Sequence, residues 1–173
     1  MIYFSSDHHF FHKNIIKYEN RPFQNLDEMH EYYIQEWNDT VKSNDTIYYL
    51  GDLTCNQNNL LEIKHLISKL NGHIHFIRGN HDHKKIHQCN LASVQDYKCI
   101  KINGQNIVLF HYPIASWRKM GNGSWHLFGH CHGNYQNLGK SLDVGIDNVG
   151  RIISFDEVKE IMDKKEIVKV DHH

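Results

Sequence analysis

Short apolar runs alternate with longer amphipathic stretches along the first half of the chain. Runs rich in isoleucine, tyrosine, phenylalanine and valine have the length and composition of buried strands. They cover residues 2–6, 46–50, 74–78, 106–110 and 125–128. Between the first three runs, apolar residues recur at helical spacing over residues 26–41 and 59–70. The order strand, helix, strand, helix, strand predicts parallel pairing.

The second half of the chain has a different pattern, in which strands are separated by turns. Residues 99–102 and 106–110 flank Asn103-Gly104, a dipeptide typical of hairpin turns, so we expect antiparallel pairing at the edges of this half. A last helix is predicted over residues 155–165, because Ser154 followed by Glu157 has the pattern of a capping box. A chain of 173 residues fits one domain, which we assign to residues 1–173.

Each apolar run ends at residues of the types that bind metals. In chain order these are Asp7-His8-His9, Gly51-Asp52, Gly79-Asn80-His81-Asp82, His111 and Gly129-His130-Cys131-His132. Ligands of open α/β sheets bind beyond the carboxyl ends of the strands, where these residues fall. The glycines that precede the ligands leave room for a sharp turn and for a bound group. The pattern therefore predicts that the side chains converge on one site.

Composition supports metal chemistry and excludes other classes. The chain has 16 histidines, an unusually high number, and histidine is the commonest metal ligand. The net charge of −1 argues against a partner such as long nucleic acid, although a short nucleotide fits. The 4 cysteines are widely spaced and we interpret them as reduced thiols. Since neither a membrane span nor a signal peptide is evident, we expect a cytoplasmic location and no membrane partner.

The spacing of the motif residues suggests how they share metal ions. Residues two apart in an extended chain point to the same side, so Asp7 and His9 could face one metal, as could His130 and His132. We take the ligands to be Asp7, His9, Asp52, Asn80, His111, His130 and His132. Two carboxylates against two divalent ions leave a cationic site that suits a phosphate.

A pair of neighbouring cations normally needs a bridging carboxylate, and Asp52 is our choice for it. The expected cofactor is therefore two divalent metal ions. Oxygen and imidazole ligands without sulfur favour manganese, iron or zinc, and of these metals we favour manganese.

In their order and content, these motifs resemble those of the calcineurin-like metallophosphoesterase family. The chain looks most like the small bacterial and phage predicted phosphoesterases, which carry segments similar to His12-Lys13-Asn14-Ile15-Ile16 and Arg21-Pro22-Phe23. The resemblance extends over residues 7–132. It implies an α/β fold, a four-layer α-β-β-α sandwich with two mixed sheets packed face to face and helices outside.

The resemblance also implies a role for each residue. Asp7, His9 and His132 would hold the first metal, Asn80, His111 and His130 the second, and Asp52 both. His81 would protonate the leaving group. The aspartate-arginine pair that follows the Gly-Asp motif in protein phosphatases is absent, because Leu53-Thr54-Cys55-Asn56 stands there. This departure disfavours a phosphoprotein substrate, and we assign Asp82 to orient His81 instead.

The expected function is hydrolysis of a small phosphodiester or nucleotide by attack of a metal-bridging hydroxide. Substrate contacts are expected from His12, Arg21 and Arg118. Two alternatives stay open, a phosphomonoesterase and a non-catalytic binding or scaffold module of the same fold. The presence of His81 favours an enzyme. The sequence does not indicate an oligomeric state.

Overall fold

The first sheet contains the N-terminal strands. The computed structural model describes residues 1–55, 59–136 and 138–170. The strands are β1 (Ile2–Ser5), β2 (Thr46–Tyr49), β3 (His73–Ile77), β4 (Ser93–Gln95) and β9 (Ile153–Ser154). They lie in the order β4-β3-β2-β1-β9, with β1 to β4 parallel and β9 antiparallel to β1. The predicted parallel pairing of the first half is confirmed.

The second sheet contains four strands in sequence order. These are β5 (Tyr97–Ile102), β6 (Gln105–Phe110), β7 (Trp125–Phe128) and β8 (Ser141–Asp143). Strands β5 and β6 are antiparallel, whereas β6, β7 and β8 are parallel. Asn103 and Gly104 both have positive φ angles, of 48° and 87°, as the predicted hairpin turn requires. The sheet is thus antiparallel at one edge.

Five α-helices and two 3₁₀ turns connect the strands in the described residues. The helices are α1 (Ile15–Tyr18), α2 (Leu26–Thr40), α3 (Leu60–Ile67), α4 (Ile146–Val149) and α5 (Phe155–Asp163), and the 3₁₀ turns are Ile86–Gln88 and Met120–Asn122. Helix α2 begins after Asn25, whose side chain accepts a hydrogen bond from the Glu28 amide. Helix α5 begins with the predicted capping box of Ser154 and Glu157.

Two large apolar cores hold the layers together. The first lies between the first sheet and helices α2 and α3, where Trp37 and Ile63 pack with Tyr49 and other strand residues. The second lies between the sheets and includes Phe4 of β1 and Leu109 of β6, and helix α5 contributes to it. The predicted fold of two mixed sheets packed face to face with helices is confirmed.

A third, smaller apolar cluster lies on the second sheet, where residues of a loop pack on β6. Trp117 and Met120 of this loop pack on Val108, next to the 3₁₀ turn Met120–Asn122.

In the described part of the chain, no helix is both long and apolar enough to cross a bilayer. The carboxyl ends of β1, β2 and β3 lie together, and the loops beyond them are joined by hydrogen bonds such as that from the Asp7 amide to the Gly51 carbonyl.

Candidate metal centre

The loops that carry the expected ligands have an unusual backbone conformation. Positive φ angles of 47° to 71° occur at Asp7, His9, Asp52, His130 and His132. The expectation that extended alternation brings Asp7 and His9 together is therefore wrong, because left-handed turns do so. Such turns cost non-glycine residues about 1–2 kcal/mol each. Backbone strain of this kind concentrates at functional sites, where the surrounding structure maintains it.

A first group of ligand atoms comes from Asp7, His9 and His132, and these atoms all lie within 4.8 Å of one another. His9 is 2% exposed, and neither of its ring nitrogens has a hydrogen-bond partner in the described structure. Its Nε2 lies 3.9 Å from Asp7 Oδ1 and 3.7 Å from Asp52 Oδ2, too far for hydrogen bonds. Two donors that share one ion are about 3–4 Å apart. The buried, unpartnered imidazole therefore fits a metal.

A second group comes from Asp52, His111 and His130, whose ligand atoms also lie within 4.8 Å of one another. Asn80 adjoins them, with its Oδ1 3.1 Å from His111 Nε2. His111 Nδ1 lies 2.7 Å from the carbonyl oxygen of Leu50, which can only accept. Nδ1 therefore carries a proton, and Nε2 is the atom that faces the group.

Asp52 belongs to both groups through a single oxygen. Its Oδ2 lies 3.4 Å from His111 Nε2 and 3.7 Å from His9 Nε2. Its Oδ1 accepts a hydrogen bond of 2.8 Å from the His81 amide, which fixes the orientation of the carboxylate. One oxygen thus faces ligands of both groups, as the choice of Asp52 as bridge requires.

Burial and mutual charge shift the pKa values of these side chains. Burial raises the pKa of Asp7 to about 7 and lowers that of His9 to about 3. Although burial opposes it, the hydrogen bond and charge of Asp52 raise the pKa of His111 to about 9. Burial opposes the corresponding effect on Asp52, but His111 holds the pKa of that carboxyl below its usual range. The raised pKa values mean that Asp7 and His111 tend to keep their protons, and a cation that binds to these side chains would displace them.

Behind His132 lies a carboxylate that the sequence analysis missed. Asp147, at the start of α4, has its Oδ2 2.7 Å from His132 Nδ1. Arg21 donates to the same carboxylate with Nε at 2.8 Å and Nη2 at 2.6 Å. Burial opposes both shifts, but these bonds lower the pKa of Asp147 and raise that of His132. The pattern Asp143-Val144-Gly145-Ile146-Asp147, an apolar strand ending near a glycine, could have indicated it.

The structure corrects the expected role of Arg21. Its side chain is 2% exposed, and its guanidinium donates to Asp147 and to the carbonyl oxygens of Asp7 and His8. With these donors engaged beneath the ligands, Arg21 does not present a free guanidinium to a substrate.

The structure also corrects the role assigned to Asp82. This carboxylate is buried and accepts hydrogen bonds from the amides of Gly79, Asp52 and Leu53 at 2.8, 2.8 and 3.0 Å. All the hydrogen bonds described for it come from the main chain, so it does not orient the His81 ring. Burial raises its pKa to about 7. Asp82 joins the loops that carry Asp52 and Asn80.

The remaining candidates occupy different positions. Measured between ring centroids, His81 lies 5.2 Å from His9 and 6.0 Å from His12. His81 and His12 therefore both lie beside the first group. Arg118 is exposed, and its carbonyl oxygen accepts a hydrogen bond from Ser124. In the described structure no hydrogen bond or ion pair joins the Arg118 side chain to the ligands.

The glycines before the ligands are required by close packing. A Cβ atom on Gly79 would lie 2.1 Å from Asp52 Oδ1, and one on Gly129 would lie 2.4 Å from Asp7 Oδ2. Contacts this short do not occur, so both positions exclude a side chain. The side chains of Asp52 and Asp7 occupy the space that these glycines leave, and room for a metal and a substrate stays a prediction.

Comparison with known proteins finds two relatives that align over nearly the whole chain. No family model matches it. The uncharacterized protein MJ1445 of Methanocaldococcus jannaschii is 35% identical over 176 residues, covering 97% of this chain and 94% of that protein. This chain belongs to the MJ1445 family. The gene 66 protein of Mycobacterium phage L5 is 24% identical over 193 residues, covering 92% of this chain and 93% of the phage protein.

A solved structure supports the fold assigned to this member of the MJ1445 family. A protein of unknown function from Aquifex aeolicus, AQ665, aligns with a TM-score of 0.72 and 25% identity, covering 93% of this chain and 98% of its own. The phosphoesterase YfcE of E. coli aligns with a TM-score of 0.48 and 17% identity, over 89% of this chain and 81% of YfcE.

Proposed function

We propose that this chain is a dinuclear metal-dependent phosphoesterase that hydrolyses a small phosphodiester or a nucleotide. The observation that carries the proposal is the position of Asp52, whose Oδ2 lies between His9 Nε2 at 3.7 Å and His111 Nε2 at 3.4 Å. Two groups of ligands that share one carboxylate oxygen form the arrangement of a two-ion hydrolase.

The donor atoms fit two divalent cations. Asp7, His9, His132 and the shared Asp52 would hold one ion, and Asn80, His111, His130 and Asp52 the other. Oxygen and imidazole donors suit manganese, iron or zinc, and we favour manganese. When bound, the ions would lower the pKa of a water molecule and offset the negative charge of the phosphate.

His81 is the proposed proton donor to the leaving group. Its backbone is fixed on Asp52, and its ring is partly exposed beside His9. A side chain that is anchored at its main chain and open to solvent at its ring can reach a substrate oxygen without leaving the site. His12 stands on the same side, and its Nδ1 has no hydrogen-bond partner in the described structure, so we assign it a substrate contact.

The positions of the two candidate arginines favour a diester. A phosphomonoester carries more negative charge near neutral pH, and proteins often bind such groups with bidentate arginines. Arg21 is buried beneath the site, and Arg118 is exposed, without a described bond that draws its side chain towards the ligands. Arginines in these positions form no preformed clamp, which supports the proposal of a phosphodiester with a single negative charge.

The test is hydrolysis of bis-p-nitrophenyl phosphate and p-nitrophenyl phosphate with added manganese, with and without a chelator. We expect faster hydrolysis of the diester, its loss with the chelator and its return with manganese. Faster hydrolysis of the monoester would favour a phosphomonoesterase. A protein that binds manganese but hydrolyses neither compound would be a non-catalytic module.

The cytoplasmic location stays a prediction.

A further inference from the structure

The guanidinium of Arg21 joins two segments that are far apart in the chain. Nη1 donates to the His8 carbonyl at 2.7 Å, and Nη2 donates to the Asp7 carbonyl at 2.7 Å. The same group makes a bidentate pair with Asp147, which is 126 residues away in sequence. Since the Arg21 side chain is 2% exposed, water competes little for these bonds.

One of these segments carries Asp7 and His9, and the other holds the third ligand of the first group, His132, through the carboxylate of Asp147. The carbonyls that Arg21 holds belong to the left-handed loop with Asp7 and His9. Asp147 lies at 2.7 Å from His132 Nδ1 and so leaves Nε2 of that ring as the ligand atom. The Asp7–His9 loop and the His132 imidazole are thereby fixed relative to each other by the buried ion pair of Arg21 and Asp147.

We propose that Arg21 and Asp147 are positioning residues that assemble the first metal group. The inference rests on the proposed function for the identity of the bound ions. The second group has other supports, because His111 is held by the Leu50 carbonyl and the loop of Asn80 by Asp82. Loss of the Arg21–Asp147 pair should therefore weaken one ion and leave the other.

A different reading makes Asp147 itself a metal ligand. Glu19, His132 and Asp147 also offer ligand atoms within 4.8 Å of one another. Both Asp147 oxygens, however, already accept hydrogen bonds from Arg21, whose positive charge would repel an adjacent cation. Glu19 lies 4.0 Å from His132 Nδ1 and makes no closer ion pair with it. The guanidinium thus takes the place that a cation would need.

The experiment is a manganese titration of the metal-free protein by calorimetry, with manganese per chain measured by elemental analysis. The variants are Asp147→Asn, which preserves shape, and Arg21→Lys, which keeps the charge but loses the planar fork. Arg151→Gln is the matched control, because Arg151 pairs with Glu157 at 2.8 Å on the exposed surface. Parent and control should bind two ions. Both variants should keep one and bind the other about 10–100-fold more weakly.

The outcomes separate this inference from the proposed function. Unchanged affinity for both ions in the variants would overturn the inference, as would equal weakening of both ions with a lower melting temperature. A parent that binds fewer than two ions would overturn it as well. A parent that binds two ions and hydrolyses no phosphate ester would instead remove the proposed function and leave the positioning role intact.

Discussion

The two candidate metal groups contain similar residues but are supported in different ways. The first depends on charged side chains, since Arg21 and Asp147 connect its members. The second depends on the main chain, since His111 binds the Leu50 carbonyl. A site made from strand ends can therefore be stabilised either by a buried ion pair or by backbone hydrogen bonds. The first should be sensitive to changes of charge, the second to changes in its loops.

Replacement of Asp52 should weaken metal binding in both groups, because its carboxylate is shared between them. We expect Asp52→Ala to weaken both ions by more than about 100-fold, because loss of a ligand exceeds the roughly 10–100-fold effect of losing a ligand's supporting partner. Hydrolysis should fall to the background rate. Calorimetric titration with manganese checks this, and weakening of only one ion would show that Asp52 is not shared.

His81→Ala should leave both groups intact and remove only the proton donor. Turnover of esters with poor leaving groups should fall about 10²–10⁴-fold, while bis-p-nitrophenyl phosphate, with its good leaving group, should be affected far less. The matched control is His87→Ala, an exposed histidine in the 3₁₀ turn Ile86–Gln88. Equal rates for His81→Ala and parent on a dialkyl ester would remove His81 from the mechanism.

Asp82→Ala tests the backbone support of the second group. Removal of this carboxylate leaves the buried amides of Gly79, Asp52 and Leu53 without their acceptor. We expect a loss of about 2–3 kcal/mol in the free energy of unfolding, measured by urea denaturation without metal. Asp82→Asn, which keeps one acceptor oxygen, should lose less. If the two variants are equally stable, Asp82 does not support these loops through its acceptors.

The pH dependence of metal binding should distinguish the second group. The pKa of His111, raised to about 9, means that a bound ion must displace a proton below that pH. Affinity for the second ion should therefore rise about tenfold per pH unit between about 7 and 9 and level off above. In the first group, Asp7 retains a competing proton below about 7, and His132 also competes, because its bond to Asp147 raises its pKa although burial opposes the shift. Titrations at several pH values check this, and a constant second affinity between pH 7 and 9 would contradict it.

Arg118→Ala should have the smallest effect. Its side chain is exposed and has no described bond to either group, so we expect less than a threefold change in kcat/KM, as for roughly 0.5 kcal/mol. A tenfold rise in KM without a change in kcat would instead place Arg118 in substrate binding and weaken the argument for a diester.

The sequence predicted the strands and their ligand ends because both signals are local. Apolar runs of strand length, such as that before Asp52, are followed directly by metal-binding residue types. The same signal is weak at β8 and β9, which have 3 and 2 residues, so these strands and the adjoining Asp147 were not predicted. Short strands take their conformation from their neighbours rather than from their own pattern.

Long-range contacts explain the two misassigned residues. Nothing local to Arg21 indicates that it bonds Asp147 after 126 further residues. Asp82 follows His81 directly, which suggested an orienting role, but the chain turns its carboxylate towards the amides of Asp52 and Gly79. The left-handed turns at Asp7 and His9 were also not predictable, because non-glycine residues rarely adopt them without support from the fold.

The proposed function requires two ions between these ligands that share Asp52. Crystals grown with manganese would show them, with anomalous diffraction recorded at energies above and below the manganese absorption edge. We predict two anomalous peaks per chain, one contacted by Asp7, His9 and His132, the other by Asn80, His111 and His130, with an Asp52 oxygen adjacent to both. A single peak, no peak, or peaks contacted by other side chains would contradict the account.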